Sequence, residues 1–200
     1  MKKIIMCVLC ITMLIVYNCF AQTAEQKNIS KTYSMTFGLK PKRFVIKHVP
    51  WRTDWGSSDK IKYNALSYDV NVRCNSHTMT NWTIEVIWMA SKADGRAFPV
   101  EIEEYKLPKA VNKNEKTTVG ICSKLFIYRE AKYVALGEHT KEGYILKGAI
   151  VRLKSDDGHI IRSVFTQYND YWRKLAWEEN VVVKEEIDDR YIRKPDENNE

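Results

Sequence analysis

Between Tyr144 and Phe165 the chain reads YILKGAIVRLKSDDGHIIRSVF, and no other stretch limits the possible folds so tightly. Two apolar, β-branched runs flank Ser155-Asp156-Asp157-Gly158, a short connection ending in glycine of the kind that closes a β-hairpin. Gly158 takes a positive φ without steric cost, and Asp156 and Asp157 are suited to hydrogen-bond nearby backbone. Along the first run Ile145, Ala149, Val151 and Leu153 alternate onto one face, and Tyr144, Leu146 and Ile150 onto the other. Both faces are apolar, which predicts a strand covered on both sides within a packed sheet.

The same period of two recurs upstream. Tyr33, Met35 and Phe37 alternate with polar residues, and Lys40-Pro41 is expected to break that strand. A second is expected over residues 43–49, ended by Pro50. Leu66, Tyr68, Val70 and Val72 then fall in register, followed by Trp82, Ile84, Val86 and Trp88 on one face with Ile87 and Met89 on the other. Asp94-Gly95 marks a hairpin turn before residues 98–107. There Val100 and Ile102 read as one face, and Glu101 and Glu103 as a solvent face. Residues 117–128 read as one long or bulged strand, and 133–136 as a brief one.

After Phe165 the period lengthens. Phe165, Tyr168, Trp172, Leu175 and Ala176 recur at intervals that place them on one stripe of a short helix, expected within residues 166–178. Short strands punctuated by Gly, Pro, Asn and Asp predict an all-β, mostly antiparallel fold, an immunoglobulin-like β-sandwich with a short C-terminal helix. Trp88 lies between Cys74 and Cys122 as a strand-C tryptophan would. Gly120, however, stands where antibody-type domains carry a tyrosine two residues before the second cysteine, so the expectation covers the architecture and not that family.

The two ends differ from the middle. Residues 1–21 have the parts of a secretory signal: Lys2 and Lys3, an apolar run from Ile4 to Val16, and Cys19-Phe20-Ala21 at the cleavage position. Export to the periplasm or the exterior is expected, with cleavage after Ala21. The run is short of the ~18–20 residues that span a bilayer, so no transmembrane segment is expected in the mature form. A lipid anchor at Cys19 is disfavoured by the bulky and polar lead-in Val16-Tyr17-Asn18. Residues 22–30 read as a mobile leader, 31–183 as a single domain, and 184–200 as a disordered charged tail.

Chemistry-bearing patterns are few. Of five cysteines, Cys7, Cys10 and Cys19 lie in the signal segment, leaving Cys74 and Cys122 to form a disulfide in an oxidising compartment or to remain as buried thiols. His48, His77, His139 and His159 read as dispersed, none at a ligand-like interval from a cysteine or carboxylate, so neither a metal nor a cofactor is expected. Gly-x-Ser-x-Gly, His-Glu-x-x-His and a Gly-rich phosphate loop are all absent, and no catalytic residue is predicted. The formal charge of +7 is spread along the chain, with Lys40, Lys42 and Arg43 the densest group, which argues against a nucleic-acid partner. The aromatic content of 12% is more suggestive. Trp51 and Trp55, with Arg52 and Asp54 between them and Pro50 and Gly56 outside, read as a loop. Stacking rings beside polar groups suit a glycan or protein partner. The alternative is that the rings cap the core.

Gly143-Tyr144-Ile145, Gly148-Ala149-Ile150-Val151-Arg152-Leu153 and Asp157-Gly158 before an apolar strand resemble the C-terminal hairpin of uncharacterised secreted bacterial β-sandwich proteins, in which a short amphipathic helix follows. The resemblance implies an exported bacterial protein and supplies no activity. The expected function is therefore a non-catalytic binding or structural module of the bacterial cell envelope. The competing expectation is a secreted hydrolase acting on polysaccharide or peptide.

Overall fold

Period-two alternation along most of the chain gives antiparallel strands that stack as two facing sheets. The computed structural model describes residues 35–52, 58–92, 95–133, 138–167, 169–183, 187 and 189–193. The strands are β1 (Met35–Arg52), β2 (Ser58–Cys74), β3 (Met79–Thr80), β4 (Thr83–Ser91), β5 (Phe98–Lys106) and β6 (Ala110–Val111). They continue as β7 (Lys116–Cys122), β8 (Leu125–Tyr133), β9 (Glu138–Gly143), β10 (Ile145–Lys154), β11 (Ile160–Phe165) and β12 (Ile192–Arg193). One sheet runs β1-β2-β8-β12, with β7 also on β2 and β9 on β8; the second runs β11-β10-β4-β5, and β3 and β6 form a separate two-stranded ribbon. That order is an immunoglobulin-type sandwich, with β1, β2 and β7–β8 in the A, B and E places and β5, β4, β10 and β11 in the C′, C, F and G places. Trp88, fully buried, occupies the strand-C position on β4. Among the described residues no helix is long and apolar enough to cross a membrane.

The apolar side chains form two clusters. Val70, Val72, Val86, Trp88, Val151 and Leu153 pack between the sheets. On the outer face of the second sheet Ile87, Met89 and Ile150 are covered by Trp172, Leu175 and Ala176. These last belong to the helix α1 (Asp170–Leu175) and its C-cap Ala176. The helix begins where the Asn169 side chain accepts a 2.8 Å hydrogen bond from the Trp172 backbone N–H, satisfying one of the donors a helix start leaves open. The covering of both faces of β10 thus has its cause: one core lies beneath it, and the helix lies above.

Several local expectations are corrected. Neither Lys40-Pro41 nor Pro50 ends a strand: β1 runs through both, with a register shift between Pro41 and Arg43. β1 is an edge strand, where a missing N–H need not break a ladder. In β10 the register shifts between Leu146 and Gly148, so Leu146 joins Ala149, Val151 and Leu153 in the inter-sheet core. Gly148 has φ 150°, and a Cβ there would collide with the Thr166 hydroxyl. A shift opposite Trp88 and Met89 likewise separates Val100, in the inter-sheet core, from Ile102, in the outer cluster. The run 117–128 is two strands, broken where Ser123 turns inward and its hydroxyl accepts from Leu66 N–H at 3.0 Å. Of the brief strand expected at 133–136, Tyr133 ends β8 and 134–136 lie outside the described residues; β9 follows at Glu138–Gly143. Of the segment from Lys184, expected to be a disordered tail, residues 187 and 189–193 are described and the rest lies outside the described residues. A 3₁₀ turn over Asp189–Tyr191 leads into β12 on β8, and Ile187, Tyr191 and Ile192 pack against the inter-sheet core.

Candidate functional site

Three separate segments converge at one end of the second sheet. Arg96, Ala97 and Phe98 enter β5, Lys147 stands in the β10 bulge, and Gln167 with Asn169, Asp170, Tyr171 and Trp172 leads from β11 into α1. Together they line a cleft of about 850 Å³, within the ~300–1,000 Å³ of small-ligand sites. Its geometry is fixed by backbone links around the bulge. Gln167 Nε2 donates to the Lys147 carbonyl at 3.0 Å, Thr166 N–H donates to the Ala149 carbonyl at 3.1 Å, and Ala149 N–H donates to Thr166 Oγ1 at 3.0 Å. Trp172, 1% exposed, and half-buried Phe98 give apolar surface, while Tyr171, 45% exposed, stands at the rim. Partial burial, and then the charge of Glu178, push the Tyr171 phenol up, so it stays a neutral donor and acceptor. The cleft therefore offers aromatic faces beside one guanidinium, one ammonium, two amides and one carboxylate.

The residues singled out in the sequence lie elsewhere. Trp51 and Arg52 belong to β1, paired with Asp59 and Ser58, and not to a loop. The rest of that candidate surface, Asp54 and Trp55, lies outside the described residues, as do the side chains of Trp51 and Arg52. No disulfide joins Cys74 and Cys122. Cys122 stands opposite Ser67, seven positions along β2 from Cys74, or roughly 23 Å at ~3.3 Å per residue. That span is far beyond the reach of a bridge.

Glu101 and Glu103 are not on a solvent face. They pair across strands with Trp88 and Val86, both inter-sheet residues, and so face inward at the open edge of the sandwich. Lys124 makes an ion pair with Glu101 across that edge. Glu103 Oε2 accepts from Trp88 Nε1 and from Tyr105 OH, each at 2.8 Å. Burial, then the hydrogen bond and charge of Glu103, push the Tyr105 phenol well above its ordinary value, against a smaller opposing effect from the Cys122 backbone. A raised folded-state value means the unfolded chain ionises first as pH climbs past ~10. Stability contributed here is complete below that pH and declines as pH rises toward the folded-state value. Urea unfolding across this range is expected to show an alkaline loss that Tyr105→Phe reduces; an unchanged slope in that variant contradicts the assignment.

Cys74 and His77 stand at an interval of three, and the turn after β2 brings them together, Cys74 Sγ to His77 Nδ1 3.5 Å. Among the described residues no group of three His, Cys, Asp or Glu is gathered. His139 instead pairs with Glu130 at 2.8 Å, and His159 with Asp157 at 3.6 Å, both largely exposed.

No model of a known protein family matches the chain, and no curated protein matches it. Among solved structures it is similar to a protein from Akkermansia muciniphila at 12% identity, covering 72% of this chain and 77% of that one with a TM-score of 0.33. It is similar to a protein named ApaA from Bordetella pertussis at 12% identity, covering 57% of this chain and 91% of that one with a TM-score of 0.25. A β-glucosidase from Kluyveromyces marxianus is similar at 17% identity over 67% of this chain and 14% of the enzyme, with a TM-score of 0.25. At such TM-scores these likenesses carry nothing about the site.

Proposed function

We propose that the chain is an exported, non-catalytic binding module of a bacterial cell envelope, and that its ligand is a glycan held in the cleft between β5, the β10 bulge and α1. The observation that carries this reading is the lining itself: Tyr171, Phe98 and Trp172 beside Arg96, Lys147, Gln167, Asn169 and Asp170. A sugar ring has an apolar face for stacking and a rim of hydroxyls that both donate and accept, which matches aromatic rings set among charged and amide groups. Export is supported by Lys2, Lys3 and the apolar run to Val16. Trp51 and Trp55, with Arg52 and Asp54, are proposed as a second contact for the same ligand or for a protein partner. The hydrolase reading is less well supported, because acid–base glycoside cleavage uses a pair of carboxylates and Asp170 is the one carboxylate among the described lining residues.

A glycan array probed with the protein beginning at Gln22 should yield saccharides whose affinity is then measured by calorimetry. Tyr171→Ala is expected to weaken binding by more than about 1 kcal/mol while leaving the melting temperature almost unchanged, since the ring stands 45% exposed. An affinity untouched by this substitution removes the cleft as the site.

A further inference from the structure

The cations of the cleft outnumber its free anions. Arg96 and Lys147 both line it, and among the described residues neither stands in an ion pair. Asp170, the one carboxylate of the described lining, is already matched: its Oδ1 lies 3.1 Å from Arg173 Nη2, and its side chain is 88% exposed. The charge of Glu178 reaches the Tyr171 phenol, but Glu178 is not part of that lining. The fold also fixes where one of the cations stands. In the register of β10 on β4, Leu146 pairs with Ala90 and Gly148 with Met89, which leaves Lys147 without an opposite residue. A bulge of this kind re-aims the side chain it carries. It is held in place because Gln167 Nε2 donates to the Lys147 carbonyl at 3.0 Å and a Cβ on Gly148 would collide with Thr166. Lys147 is half-buried there, and Arg96 is exposed.

We propose that the saccharide taken by this cleft is acidic, a sugar whose carboxylate pairs with Arg96 and Lys147 while its ring stacks on Tyr171. The proposal rests on the glycan reading of the cleft and narrows it to hexuronic and related sugar acids. A neutral sugar seated here takes water away from two cations and returns only hydroxyl contacts, which leaves their charge uncompensated. A carboxylate compensates it. The guanidinium is a planar fork that meets both carboxylate oxygens at once, and the ammonium is a point charge that meets the lone pairs left over. The carboxylate of a sugar acid is bonded directly to a ring carbon, so its charge stays close to the ring while the ring lies on an aromatic face. A sulfate or phosphate ester is carried through an added oxygen and swings away from the ring.

The test is an array of carboxylated, sulfated, phosphorylated and neutral saccharides, followed by calorimetry of the best-bound sugar acid against its own carboxyl-reduced form. The protein is expected to select carboxylated saccharides and to bind the reduced form more than about tenfold more weakly, because hydrogen bonds to charged groups are the strong ones. Arg96→Gln and Lys147→Gln should each shrink that preference for acid over alcohol by at least about threefold, and affinity for the acid should fall as salt is raised. Lys116→Gln, which removes an exposed charge from β7 on the other sheet, should bind as the unaltered protein does. Neutral saccharides bound as tightly as acids, with Tyr171→Ala abolishing the binding, leave the glycan site standing and overturn the acidic assignment. Selection of sulfated or phosphorylated saccharides over carboxylated ones, or an acid preference untouched in both cation variants, overturns it too. An array on which no saccharide binds overturns the glycan reading and this one with it.

Discussion

Replacing Arg152 by alanine is expected to destabilise the protein by about 3–5 kcal/mol. Arg152 is fully buried on the outer face of β10, opposite Glu85 of β4. Its Nη1 lies 3.4 Å from Glu85 Oε1, and its Nη2 donates to the Leu175 carbonyl at the end of α1. One guanidinium thus neutralises a buried carboxylate and satisfies a carbonyl that the helix terminus leaves open. Burial pushes its pKa down, the Glu85 charge opposing that, and Nε has no hydrogen-bond partner among the described residues, so the group is held at a cost. Lys154, 2.7 Å from Glu85 Oε1, still compensates Glu85 when Arg152 is gone, which places the loss toward the lower end of the range. Removing both charges together as Arg152→Met with Glu85→Leu is expected to cost less than the single change, because the desolvation of the pair vanishes and what remains is the Leu175 carbonyl without its donor and Lys154 beside Glu104 at 3.8 Å. Urea unfolding of both variants checks this. A single variant within about 0.5 kcal/mol of the unaltered protein contradicts the clamp.

Trp172→Ala is expected to cost a similar ~3–5 kcal/mol for a different reason. The ring is 1% exposed and covers Ile87, Met89 and Ile150, so its loss opens a cavity over the outer face of the second sheet. The same ring lines the cleft beside Phe98 and Tyr171. Stability and ligand binding should therefore fall together in Trp172→Ala, whereas Tyr171→Ala should lose binding alone. Unfolding and saccharide affinity measured on both variants distinguish the two roles. Loss of binding in Trp172→Ala at unchanged stability is the result that contradicts a structural role for the ring.

The sandwich was legible because period-two alternation repeats along most of the chain, and the helix because Trp172, Leu175 and Ala176 break that period. What misled was displacement by single residues. A bulge inverts every side chain beyond it, and the shifts in β10 and β5 moved Leu146 inward and parted Val100 from Ile102. Gly148 was the visible mark of one bulge; the shift in β5 has no such mark. Prolines read as breakers proved tolerable because β1 is an edge strand, which is a tertiary fact. The cleft was invisible for the same reason: Arg96, Lys147 and Gln167 share no local pattern and meet only when three strand ends converge.

The proposed glycan site is tested most directly by titrating a saccharide identified on the array into isotope-labelled protein and following its nuclear magnetic resonance spectrum. The account predicts shifts in the Trp172 indole signal and in the backbone signals of Arg96, Phe98, Lys147, Gln167 and Tyr171, the residues that line the cleft. Shifts confined to the Trp51 and Trp55 indoles, with the cleft signals unmoved, would contradict it.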